Sequence, residues 1–122
     1  MNDPERLSRE YVDAFNRRDF AAMRAMLADA VHYKFPGVAV MSDPDAVIEA
    51  YERMSERLGD TKLRVAQAFS DGRSWTSLMV EDAGGADQPQ MSVLHEWVDG
   101  KLRTYRAFAD VRARWETAAR GG

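Results

Sequence analysis

The sequence predicts an α+β domain in which three helices come first and an antiparallel run of strands follows. Two patterns carry that reading. Up to Leu58, apart from one short strand, apolar residues recur at spacings of three and four. From Thr61 onward they alternate with a period of two, interrupted by tight-turn residues. Length agrees, because 122 residues is one domain's worth of chain with one core. No repeat, linker or low-complexity stretch divides it, so residues 1–122 are read as a single domain.

Asp3-Pro4 is a helix start: the carboxylate accepts orphan amide hydrogens and proline is pre-set for the first helical position. Leu7, Tyr11, Ala14 and Phe15 then share one face. Asn16-Arg17-Arg18-Asp19 breaks the pattern, and Asp19 caps a second helix whose apolar face is Phe20, Met23, Met26 and Leu27. Val31 to Phe35 alternates as a half-buried strand, with Val31, Tyr33 and Phe35 inward and His32 and Lys34 on the opposite face, until Pro36-Gly37 turns the chain. Ser42 or Asp43 caps a third helix, with Val47, Tyr51, Met54 and Leu58 along one side and Gly59 closing it. Strands follow near 61–69, 73–82, 90–98 and 101–111. Ser70-Asp71-Gly72 and Asp99-Gly100 are the tight turns, and Ala83 to Pro89 is the one glycine-rich loop.

Composition narrows the function classes. Hydrophobic residues make up 45% and charged residues 30% of the chain, the balance of a folded globular protein. Without cysteine there is no disulfide, thiolate metal site or cysteine nucleophile. The start has neither a basic nor an apolar leader and no segment has the length of a membrane span, so a cytoplasmic protein with no membrane partner is expected. A net charge of -3 offers no basic field for nucleic acid. Arg112, Arg114 and Arg120 read as a solvated tail. Two histidines on separate strands, without spaced carboxylates, make no metal site, and no glycine loop cradles a phosphate; no cofactor is expected.

Local wording adds a resemblance. Tyr11 to Asp19, Leu27 to Gly37 and Trp97 to Leu102 resemble, in order, the end of the first helix, the first strand and the last hairpin of the nuclear-transport-factor-2-like superfamily. That superfamily includes ketosteroid isomerases and SnoaL-like polyketide cyclases. The resemblance implies a cone whose curved antiparallel sheet and three helices enclose one apolar pocket, and a homodimer through the outer sheet face. Tyr11 matches the first-helix tyrosine that in ketosteroid isomerases donates to a developing enolate, and Tyr51 resembles its supporting tyrosine. The handling of such a site by an Asp base and a Tyr/protonated-Asp oxyanion hole is a known pattern. Here the base position holds Phe35, or Lys34 if the strand is gapped by one, and the second acid maps near Val93, so familial steroid isomerisation is not expected.

On the strand carrying Met91, Val93, His95 and Trp97 the alignment turns His95 toward the pocket, where an imidazole can take or return a proton. The catalytic candidates are Tyr11, Tyr51 and His95; Phe15, Tyr33, Phe35, Met79, Met91, Val93, Trp97 and Tyr105 are the candidate ligand-binding residues. Two functions from different classes follow. One is a cofactor-free isomerase, lyase or cyclase that moves a proton on a small hydrophobic carbonyl compound. The other is a non-catalytic hydrophobic-ligand-binding or dimerisation module, suggested by the missing carboxylates.

Overall fold

The computed structural model describes residues 3–82 and 90–109. The Ala83 to Pro89 loop, the end of the last predicted strand and the arginine tail lie outside them.

Helices α1 (Pro4–Asn16), α2 (Phe20–Met26) and α3 (Pro44–Leu58) start where the sequence signals them. Asp3 accepts from the Arg6 amide at 3.2 Å, Asp19 from Ala22 at 3.1 Å and Asp43 from Asp45 at 3.0 Å, each satisfying an orphan donor of a first turn. Of the two caps considered for α3, Asp43 is therefore the one used. Gly59 ends α3 at φ 59, a conformation open to glycine.

Strands β1 (Leu27–Lys34), β2 (Leu63–Ser70), β3 (Trp75–Asp82), β4 (Gln90–Val98) and β5 (Lys101–Ala109) form one sheet in the order β1-β5-β4-β3-β2. β2 to β5 are joined as antiparallel neighbours, and Asp99-Gly100 makes the last hairpin with both residues at positive φ. β1 joins at the edge parallel to β5, which makes the sheet mixed. Leu27 is not the last apolar residue of α2 but the first of β1, buried there opposite Leu102.

Alternation sorts the strands into two faces. Leu78, Val80, Val93, His95, Tyr105 and Ala107 are buried beneath the helices. Met79, between Leu78 and Val80 and opposite Ser92, belongs to the outer face. Phe69 (68% exposed) and Phe108 (51% exposed) stand on that outer face too. Side chains lock the helices to the sheet. The Asn16 amide exchanges two 2.8 Å hydrogen bonds with the backbone of Leu63. Arg18 donates to the carbonyls of Phe15, Gly59 and Thr61, so one guanidinium holds the α1–α2 corner against the end of α3. No helix among the described residues is long and apolar enough to cross a membrane.

Candidate functional site

A cavity of about 680 Å³ opens between the helices and the inner sheet face, within the range of small-molecule sites. Val12 and Phe15 of α1, Met54 of α3, and Leu78, Val80 and Met91 of the sheet give it an apolar wall. Its two ends differ. At the mouth, Val38 and Leu58 are 47% and 41% exposed, and Arg53 and Arg57 of α3 border the opening. At the closed end, the wall is formed by Tyr11, Tyr51, His95 and Tyr105, all buried.

The tyrosines form a hydroxyl chain. The hydroxyl oxygens of Tyr11 and Tyr33 lie 2.9 Å apart, Tyr33 is bonded to Tyr51, and Tyr51 interacts in turn with Tyr105. Parallel pairing of β1 with β5 sets Tyr33 opposite Tyr105, and their rings stack 4.0 Å apart. Tyr11 and Tyr51 interact as well, so the four hydroxyls form one connected cluster. Burial pushes all four phenols up in pKa, which keeps them protonated near neutral pH and makes them donors, not bases.

Ser8 organises the other half. Its hydroxyl accepts from the Trp97 indole N–H at 2.8 Å and lies 2.8 Å from His95 Nδ1. An indole can only donate, which leaves the serine proton free to point to Nδ1, the arrangement taken here. The imidazole then carries its own proton on Nε2, which is buried without a protein partner in a ring that lines the cavity. Desolvation of the imidazolium holds the His95 pKa down at about 3. Near pH 7 His95 is therefore a neutral imidazole and a poor proton acceptor. Thr76, directly across the strand pair from His95, likewise has a buried hydroxyl without a partner.

The inner wall holds no competent base among the described residues. Glu81 touches the wall, but its carboxylate is engaged by Arg64, its opposite number across β2 and β3. No three histidine, aspartate or glutamate residues group to hold a metal among the described residues. What the closed end can do is grip a carbonyl or enolate oxygen with neutral donors in a dry site.

Residues 8–105 match the SnoaL-like domain. The chain belongs to the SnoaL-like domain family. No protein of curated function matches it. Among solved structures, a Kribbella flavida protein provisionally named a ketosteroid isomerase is 26% identical with a TM-score of 0.73, over 85% of this chain and 75% of that one. An LEH-like epoxide hydrolase of M. tuberculosis is 20% identical with a TM-score of 0.73, over 95% and 89% of the two chains. A Shewanella putrefaciens protein provisionally named a SnoaL-like polyketide cyclase is 10% identical with a TM-score of 0.76, over 98% and 87%. The last two likenesses speak for the fold alone, which is the cone expected of a SnoaL-like chain.

Within this SnoaL-like domain Tyr11, Tyr51 and His95 meet at one end of the cavity, and Phe15, Phe35, Met91, Val93 and Tyr105 line it. Three ligand-binding expectations need correction. Met79 lies on the outer face because the inward phase of β3 is set by Leu78 and Val80. Trp97 is 1% exposed and packed beneath Ser8, where it is core. Tyr33 is fully buried behind the wall and contributes through its hydroxyl to Tyr11 and Tyr51. His95 is corrected in role: burial removes the basicity that an acid/base catalyst needs. His32 is exposed, and the Lys34 ammonium donates to the carbonyls of Phe35 and Val38. Ser8, Arg53 and Arg57 went unnoticed in the sequence. Ser8 had a signal, a polar residue on an apolar stripe one turn before Tyr11.

Proposed function

We propose that this SnoaL-like protein binds a small, hydrophobic carbonyl compound and polarises its carbonyl oxygen at the closed end of the cavity. This is the electrophilic half of a cofactor-free isomerase, lyase or cyclase reaction. The observation that carries it is the unpartnered Nε2 of His95, buried beside the linked hydroxyls of Tyr11, Tyr33 and Tyr51 at the apolar end of the cavity. A buried donor left unpaired costs about 1–3 kcal/mol, which a ligand oxygen would recover. In the reaction the carbonyl oxygen accepts from His95 Nε2–H and from Tyr11, and the α-carbon proton becomes more acidic as charge moves onto that oxygen.

The infrared spectrum of bound acetylnaphthalene tests this. Its carbonyl stretch is expected below its frequency in hexane, and to return toward the hexane value in the Tyr11→Phe, His95→Phe double variant. A hexane-like stretch in the unaltered protein would overturn the proposal. A second reading, binding without turnover, is favoured by the lack of an inward base among the described residues. Exchange of the ketone's α-protons in deuterium oxide separates the two: exchange above the buffer rate supports catalysis, and its absence with binding intact supports the binding module.

The homodimer is proposed as well, through the outer sheet face, with exposed Phe69 and Phe108 as its support. A monomer by sedimentation at micromolar concentration would count against it.

A further inference from the structure

Arg53 and Arg57 stand one turn apart on α3 and both border the mouth of the cavity. Residues four apart on a helix point the same way, so the two guanidiniums flank one stretch of the opening. Both are exposed, and among the described residues neither takes part in an ion pair, although Arg6, Arg9, Arg17, Arg24, Arg64 and Arg103 all do. The chain as a whole is acidic, at -3, so this positive charge is local and not part of a general field. Beside it, Val38 and Leu58 form an apolar lip at 47% and 41% exposure. Arginine stems can lie along such a lip while their heads stay in water.

The cavity is therefore bipolar: neutral donors at the closed end, walls that are apolar apart from the Arg64-paired Glu81, and at the exit two cations without an ion pair among the described residues. Resting on the carbonyl reading above, we propose that the ligand is an amphipathic anion, a hydrophobic carbonyl compound with a carboxylate at the end away from the carbonyl. Its carbonyl reaches Tyr11 and His95, and its carboxylate is met by Arg53 and Arg57. The planar fork of a guanidinium fits a carboxylate with two parallel hydrogen bonds. The arrangement also fixes direction, since a buried end without charge cannot receive the anion and the cationic mouth does not need the ketone.

The test uses methyl-keto fatty acids of increasing chain length, each paired with its methyl ester, with affinities measured by isothermal titration calorimetry on the full chain. The acid of the best-fitting length is expected to bind about fivefold to tenfold tighter than its ester, a discounted value because the pair is solvent-exposed. That preference is expected to fall as salt is raised and to drop to about equal binding in the Arg53→Gln, Arg57→Gln double variant. Both substitutions are on the surface, and the ester, titrated into the same variant, shows whether the pocket is intact. Equal binding of acid and ester by the unaltered protein would overturn the inference while leaving the carbonyl reading standing. So would a preference that survives in the double variant. Failure of both acid and ester to bind would overturn the carbonyl reading, and this inference with it.

Discussion

The two ends of the cavity are built on opposite principles. At the closed end Tyr11, Tyr51, His95 and Tyr105 are nearly fully buried, and every group is held neutral by desolvation. At the mouth Arg53 and Arg57 are charged, exposed and free of ion pairs among the described residues. The difference teaches where each kind of interaction is effective. A neutral donor in a dry site need not be desolvated again when the ligand arrives, so it can favour the charge that develops on an oxygen. A cation in water gains little from a partner but attracts one from a distance.

Stability separates the ends most sharply. Trp97→Ala is expected to lower unfolding free energy by about 3–5 kcal/mol in urea titrations, because it empties a fully buried site. A loss under about 1 kcal/mol would mean the closed end is not part of the core. Ser8→Ala should cost about 2 kcal/mol by the same assay, since it leaves the Trp97 indole N–H without its acceptor and His95 Nδ1 without its partner. If Ser8→Ala is neutral, the serine does not organise the site.

Acid sharpens the comparison. His95 titrates near 6.5 in the unfolded chain and near 3 when folded. Below about pH 6.5 the unfolded chain takes up a proton that the folded one refuses. Stability from His95 is thus fully present above that pH and falls by up to about 1.4 kcal/mol per unit on the way down to the folded value. Comparing urea midpoints of the unaltered protein and His95→Phe between pH 7 and pH 5 isolates this slope, as exposed His32 is common to both. Parallel pH profiles for the two proteins would place the imidazole in water.

The mouth should respond far less. Arg53→Gln with Arg57→Gln is expected to move stability by no more than about 0.5 kcal/mol, measured the same way. On the outer face, Met79→Ser should change ketone affinity by less than about twofold, as a surface substitution away from the cavity. A marked loss of affinity would return Met79 to the wall.

Much of the fold was legible because its signals are local. Asp3-Pro4, Asp19, Asp43-Pro44 and Asp99-Gly100 mark ends of elements by backbone chemistry, and the change of period after Gly59 marks where helices give way to strands. The parallel docking of β1 on β5 was not legible, because partners some seventy positions apart, such as Tyr33 and Tyr105, leave no mark on neighbouring residues. The phase of β3 was ambiguous for a different reason. Both of its faces carry large apolar residues, Trp75 and Met79 on one and Leu78 and Val80 on the other, so alternation alone does not choose. At the site, the strand pattern and the family alignment together brought Tyr11, Tyr51 and His95 to one place. The chemistry of His95 was beyond the sequence, because it depends on total burial and on a serine from a distant helix.

Nitrogen NMR of histidine-labelled protein tests the central claim most directly, that the closed end presents a neutral His95 Nε2–H to a ligand oxygen. The expected result is a neutral ring at pH 7 and still at pH 5, protonated on Nε2, whose Nε2–H resonance shifts when a methyl ketone binds. A ring protonated on Nδ1, or an imidazolium at pH 7, would contradict it.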